Sequence, residues 1–433
     1  MTPQPPALTL PPVLTRVALW MAGMMAVSLV FTMVMTHVLG MDHPYGVLWI
    51  WKGYQWSDFF VFSDRSQHFM TPSYWDDRWG YPITYPAPVA IVFGLFFRLP
   101  HPFQAYYSVI VLGIAAWAVW LGRGLAARGI RKDLAIGFAL VILCSAWPIA
   151  YLLDTANVEG LMGILLACGV IALLRGHTWT AASLIGSAAS LKLFPVILLA
   201  LLFSVRRYRE FAFGLFVMVA LNIVSLKLLG PSIRDAQSQI HEGMNFLKVV
   251  YLLAHRRVDM NFSHALFNPI KFAVLLADRL LHNGGRAGGR EHELMLGDKV
   301  LRLYYVGSAA LGLALYFGRI RKLPLLNQVT ALTVCALVLT PFSSDYTLAH
   351  LLVPFTLLAF YATEAWREGR EIPALNAYFG CLAFLLAWVT FFTFGYSSND
   401  FARMLALIAL LVVALRLPLP WAELDGPHPQ PTA

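Results

Sequence analysis

The chain has 433 residues, 59% of them hydrophobic and only 13% charged, with a formal net charge of +9. Soluble domains are nearer half apolar and a quarter charged, so this composition points to a polytopic membrane protein, and its long continuous apolar runs suit helical spans rather than the alternating strands of a barrel. The positive charge falls in short loops between apolar runs, which reads as membrane-orientation signals and argues against a nucleic-acid partner.

Residues 1–12 are Pro-rich and are expected to be disordered. The apolar stretch 13–39 is too long for a signal-peptide core and no small-residue cleavage site follows it, so a retained anchor is expected. Residues 40–102 form a first outer loop, too polar and too rich in turn residues to span a bilayer. A loop of this size between spanning helices is usually functional. It carries Asp58, Asp64, Asp76 and Asp77 among many aromatics, including Trp49, Trp51, Trp56, Tyr74, Trp75, Trp79, Tyr81 and Tyr85. Within it, residues 86–99 are bracketed by Pro86, Pro88, Pro100 and Pro102 and are expected to form a short helix lying in the membrane interface.

Spans are then expected over residues 103–121, 134–153 and 158–174. The next apolar run carries Lys192 and is broken by Pro195, which removes a helix hydrogen bond and disfavours helix in the residue before it. A span over 211–229 follows, then a second outer loop over 230–299 with amphipathic in-plane helices and the Gly-rich patch HNGGRAGGREHE. Five more spans are expected over 300–318, 325–341, 347–363, 374–394 and 401–417, with a cytoplasmic tail at 418–433. The basic loops at 123–132, 175–177, 206–209, 319–322 and 367–370 then share one side, the cytoplasmic one. The expected architecture is all-α and polytopic: one integral membrane domain over 1–433, about twelve transmembrane helices, both termini cytoplasmic. Cys144, Cys168, Cys335 and Cys381 lie inside apolar runs, without metal spacing, and are expected to be small buried hydrophobes.

The polar residues at the outer helix ends are the candidates for chemistry. Asp58, in SDFFVF, either caps a short interfacial helix or acts as a base. Asp64, Asp76 and Asp77 read as solvated loop charges. Asp154, Asn157 and Glu159 follow the 134–153 run. Lys192, beside a Pro-broken helix pair, needs an anionic partner or a watery cavity unless it snorkels to the interface; phosphate suits its compact charge. In AHRRVDMNFSHALFNP, Arg256, Arg257, Asn261 and His264 form a phosphate or sugar clamp or merely one face of an amphipathic helix. Asp345, Tyr346 and His350 lie at another outer end. The Trp and Tyr residues read as an interfacial belt, some of which could stack on sugar rings.

Four patches, taken in order, resemble the GT-C membrane glycosyltransferases, and more closely glycosyltransferase family 87: SDFFVF, TYPAPVAIVFGLFFRLP, the stretch NVEGLMGILLACGVIALLRGHTWTAASLIGSAASLKLFPVILLALLFSVRRYR, and TPFSSDYTLAHLLVP. The chain departs from the family pattern at Asp154, Thr340, Ser344 and Tyr346. The resemblance implies a GT-C fold and inverting transfer of a hexose, mannose before others, from a polyprenyl-phosphate donor to a lipid-linked or glycan acceptor at the outer face of the cytoplasmic membrane. It also implies Asp58 as catalytic base, with Lys192, Arg256, Arg257 and His350 around the donor phosphate. Asp154, Asn157, Tyr85, His264 and Asp345 would line the acceptor or sugar, and no metal or other cofactor would be required. The same site would serve polyprenyl-phosphate arabinose. Rival readings are a multi-pass transporter, a lipid-linked sugar flippase, and a non-catalytic relative that would tolerate loss of Asp58. The sequence fixes no oligomeric state.

Overall fold

Proline sets many of the helix starts. Pro12 opens helix Pro12–Met33 and Pro102 opens helix Pro102–Ala127, while Pro88 lies in the first turn of helix Ala87–Phe96. The pyrrolidine ring presets a helical φ, and its missing N–H costs nothing where a helix start has no intrahelical acceptor. The computed structural model describes residues 9–38, 56–66, 68, 83–230, 232–253, 263–281, 289–388 and 396–421, and every element among them is helical. Among the described residues, five helices are long and apolar enough to cross a membrane: Pro12–Phe31, Pro102–Ala127, Tyr208–Leu229, Glu291–Lys322 and Asp345–Arg367. The bent pair Lys132–Ser145 and Trp147–Thr155 makes a sixth if it is one span.

Where about twelve spans are expected, several of the helices are short. Glu159–Leu174, Leu325–Val338 and Ala374–Leu386 have 16, 14 and 13 residues. The expected straight span 134–153 is also broken. Ala146 is extended, and the two halves meet at 55°. Pro148 is the cause: it cannot donate to the carbonyl four residues back, and its ring crowds that turn. The break at Lys192 follows the expected logic. Helix Thr178–Leu191 stops there, Lys192 is extended, and a tight 3-10 turn resumes at Phe194 with Pro195 in its first positions.

Helix Ala87–Phe96 is ten residues long, too short to span, and buries six of them, among them Val89, Ala90 and Phe93. The second loop holds helices Ile233–Leu247 and Phe267–Leu281, each apolar along one face only. The expected loop end at residue 299 falls inside helix Gly289–Gly318. Its first turns are rich in Glu, Leu and Met, strong helix formers, and an Asp298–Arg302 pair one turn apart supports them. Gly243 pins helix Ile233–Leu247 to the segment before Tyr85, since a Cβ there would sit 1.7 Å from the Ile83 carbonyl oxygen.

The cysteine expectation is half corrected. All four are free thiols, but Cys144 and Cys168 are exposed, with only Cys335 fully buried. In a chain bordered by lipid, apolar residues cover the outside as well as the core. Helix Tyr208–Leu229 shows this with outward-facing Phe216, Val219 and Ile223.

Candidate active site

Two left-handed residues begin the site. Trp56 (φ 58°) and Ala156 (φ 50°) both occupy the αL region, which costs a side chain with a Cβ about 1–2 kcal/mol. Trp56 lies two residues before Asp58 and Ala156 one before Asn157. The Trp56 amide donates to the Asp154 carbonyl at 2.9 Å, so the two strained turns are fastened together. Backbone strain of this kind persists only where surrounding contacts over-determine it, and it concentrates at functional sites. Here it brings residues 99 apart in sequence into contact: Asn157 Nδ2 donates to Asp58 Oδ2 at 2.7 Å.

Asn157 is the hub. Its Nδ2 also donates to the Tyr85 hydroxyl at 3.1 Å, and its Oδ1 accepts from the Glu159 amide at 3.0 Å and from Lys192 Nζ at 3.4 Å. The Tyr106 hydroxyl donates to its carbonyl at 2.8 Å. Asn157 is wholly buried, and each of its amide groups has a partner. Behind it stands Glu159, 2% exposed, whose two oxygens are divided between two cationic or protonatable groups. Lys192 Nζ donates to Oε1 at 2.7 Å, and His350 Nε2 lies 2.7 Å from Oε2. Gly163, one turn along the same helix, packs beside the His350 ring, whose Cε1 lies 3.5 Å from where a Cβ would be, an ordinary contact distance.

Aromatic rings wall this row. Lys192 Nζ lies 5.6 Å from the Tyr85 ring centroid and 5.1 Å from that of Tyr346, and Tyr346 stacks on Tyr151. Phe59 is stacked on Tyr106 beneath Asp58. Asp58 itself keeps partial solvent access. Its Oδ1 takes no hydrogen bond among the described residues, whereas both Glu159 oxygens are engaged. Burial among these rings pushes the Asp58 carboxyl above its ordinary value, against the Asn157 hydrogen bond and the Lys192 charge, which lower it.

The sequence-based candidates thus divide. Asp58, Tyr85, Asn157, Lys192 and His350 are joined by direct contacts. Asp154 touches the group through its backbone carbonyl. His264 and Asp345 fall in a second cluster. There Asp345 is paired with the guanidinium of fully buried Arg403, accepts from Trp147 Nε1 at 2.7 Å, and lies 3.8 Å from His264 Nδ1. Ser343 Oγ sits 2.8 Å from the other His264 nitrogen, and burial pushes that imidazole below its usual range, which keeps it neutral. His264, Asp345 and Asp400 present possible metal-ligand atoms within 4.8 Å of one another. The Arg403 guanidinium pairs with Asp345 and so offsets one of the two carboxylates of that cluster. Arg256, Arg257, Asp76 and Asp77, like most of the expected aromatic belt, lie outside the described residues.

Glu159 is the residue that sequence reasoning placed at a helix end but gave no role. Its signal was present: a carboxylate opening an apolar helix needs a buried partner, by the argument that singled out Lys192. Chemically, the row offers one accessible carboxylate beside a buried ammonium–carboxylate–imidazole chain, a set able to accept a proton at one end and to meet an anion at the other. No curated relative and no solved structure matches the chain. A family model does, glycosyltransferase family 87, over residues 83–344. That stretch spans more than half of the sequence and contains Tyr85, Asn157, Glu159 and Lys192, and the chain belongs to glycosyltransferase family 87.

Proposed function

We propose that this glycosyltransferase moves a hexose, mannose before others, from a polyprenyl-phosphate donor to a lipid-linked or glycan acceptor at the outer face of the cytoplasmic membrane, with inversion. The observation that carries the reading is the Asn157 side chain, which joins Asp58 on one side to Lys192 on the other. An inverting transfer needs one base for the acceptor hydroxyl and positive charge for the departing phosphate. Asp58, with one oxygen fixed by Asn157 and the other without a donor among the described residues, is the base. As the acceptor oxygen attacks the anomeric carbon, its proton passes to Asp58, and the bond from that carbon to the phosphate oxygen breaks with its electron pair leaving on phosphate. Lys192 and His350 meet the polyprenyl phosphate so released. Lys192 has three N–H donors, and Glu159 and Asn157 take two.

Glu159 is the positioning residue in this scheme. It holds Lys192 and His350 side by side before any phosphate arrives, and prevents two like charges from repelling one another when both are protonated. A phosphate leaving group is already a stable anion, so it needs positive charge rather than a proton. Tyr85 and Tyr346 offer ring faces for a sugar.

The test is transfer in vitro. Purified protein in detergent is incubated with radiolabelled polyprenyl-phosphate mannose and a total lipid extract from its host, wild type beside Asp58→Asn, each with and without EDTA. A labelled glycolipid from wild type alone is expected, unchanged by EDTA. Equal product from both proteins would remove Asp58 as the base. Product only from a polyprenyl-phosphate arabinose donor would replace the hexose.

A further inference from the structure

The three elements that build the acid–cation row also build a cavity at their other ends. Tyr106, Glu159 and His350 stand near the starts of helix Pro102–Ala127, helix Glu159–Leu174 and the Asp345–Arg367 run. Arg123, Arg175 and Phe360 stand near the ends of the same three, and they line one cavity of about 570 Å³. The sixteen helical steps from Glu159 to Arg175 rise about 24 Å. The cavity therefore lies about 24 Å along that helix from Glu159, at the basic ends of the same three elements.

We propose that this cavity binds the phosphate headgroup of an anionic membrane lipid. Three arginines line it, Arg123, Arg128 and Arg175, above apolar walls that include Trp120, Ile171 and Phe360. Arg128 is already committed: its guanidinium lies 2.8 Å from Glu364 and 4.4 Å over the Phe360 ring. Arg123 and Arg175 are exposed and have no acidic partner among the described residues, so the cavity carries uncompensated positive charge. Val119, also in the lining, is an exposed apolar residue of a membrane-spanning helix. A ligand that satisfies both features has a phosphate at one end and an acyl chain at the other. Basic pockets between spanning helices take lipid headgroups for this reason. Arginine forks match phosphate oxygens in pairs.

The competing account is that these arginines only set orientation or offset helix C-termini. Neither role needs the cavity. The full chain, purified in an uncharged detergent, is examined by native mass spectrometry after exposure to phosphatidylglycerol, to phosphatidylcholine with the same acyl chains, and to glycerol 3-phosphate. Wild type is expected to retain phosphatidylglycerol in preference to the other two. Arg123→Gln with Arg175→Gln is expected to weaken that retention about thirtyfold, at about a tenfold-or-less step per charge lost near a membrane surface. Ala116→Trp fills the lining while keeping every charge, and it too is expected to abolish retention. This second variant keeps the test standing if the double variant does not fold. Arg209→Gln with Lys322→Gln removes the same charge from exposed sites outside the cavity and is expected to change nothing. The proposal is overturned if wild type shows no preference, if Ala116→Trp retains the lipid, if the control pair loses it equally, or if glycerol 3-phosphate binds as tightly as the lipid. Sugar transfer is not the readout, so failure here leaves the catalytic reading untouched.

Discussion

Asp345 and Tyr346 are neighbours on one 3-10 turn, yet their side chains join polar clusters of opposite character. Asp345 lies among Arg403, Trp147 and His264, a largely buried group in which a guanidinium pairs with its carboxylate and Asp400 stands close by. Tyr346 lies over Lys192, in the row that ends at partly buried Asp58, one of whose carboxylate oxygens has no donor among the described residues. A buried, paired cluster fixes structure. An open one, with strained backbone on both sides, has capacity left for a substrate. The difference separates residues whose loss should stop chemistry from residues whose loss should loosen the fold.

The largest effect belongs to Asp58. Asp58→Asn keeps the shape and the Asn157 contact but cannot take a proton, and transfer should fall about 10²–10⁴-fold with the melting temperature little changed. The pH profile of wild-type kcat/KM sharpens the assignment. The base must be deprotonated, and burial raises its pKa above the usual Asp value. Activity should therefore fall as pH drops through a value higher than an ordinary Asp would give. An acid limb at or below the ordinary Asp value would point to a more solvated carboxylate.

Arg403 supplies the opposite case. Arg403→Leu strips the guanidinium from the buried Asp345 carboxylate, and breaking a buried pair from one side costs about 3–5 kcal/mol. Thermal unfolding in detergent should show a large loss of stability, while activity per folded molecule stays near wild type. A variant that folds normally but transfers no sugar would place the second cluster in the chemistry and erase the distinction. Glu159→Gln should fall between the two. Glutamine keeps an acceptor for Lys192 but removes the charge that holds Lys192 and His350 together. The loss of a charged hydrogen bond is about 1.5 kcal/mol, near tenfold in kcat. The donor KM should not rise, because the cations are then less neutralised. A rise in donor KM with kcat unchanged would make Glu159 a simple binding residue.

How much of this could be read beforehand depended on whether the signal was local. Pro195 announced the break beside Lys192, and the unusual placement of a lysine in an apolar run announced a partner. Asp58 stood out through SDFFVF and the family's order of motifs. Neither route named the partner, because the contacts of Lys192 with Glu159 and of Glu159 with His350 join residues 33 and 191 apart. Arg403 sat unremarked in the last expected span, although a fully buried arginine in an apolar helix requires an anion as surely as Lys192 does. The described residues show fewer full-length spans than the expected twelve for a different reason. Apolar length was read as straight helix, but Pro148 bends one run and the helices Glu159–Leu174 and Ala374–Leu386 are short. Hydropathy records what a segment can be buried in, not how the backbone divides inside it.

The finest discrimination comes from removing one polar atom from each cluster. In the open row, the Tyr85 hydroxyl is a second acceptor for Asn157 Nδ2, at 3.1 Å, while Asp58 remains the nearer one at 2.7 Å. Tyr85→Phe keeps the ring that faces Lys192 but leaves one of the two Asn157 Nδ2 hydrogens without its acceptor, at a cost of about 1 kcal/mol. Transfer should fall only a few-fold, with thermal stability little changed. In the buried cluster, Trp147→Phe removes the Nε1 donor from a carboxylate with little access to water. That oxygen keeps Arg403, yet it loses a charge-assisted bond that solvent cannot easily replace, at a cost of about 1.5–3 kcal/mol. The expected readout is a lowered melting temperature with near-normal kcat. One hydroxyl and one indole N–H, each a single donor or acceptor near a carboxylate, should thus move different observables. If both variants shift the rate alone, or both the melting temperature alone, then the two clusters act as one unit through the Asp345–Tyr346 turn.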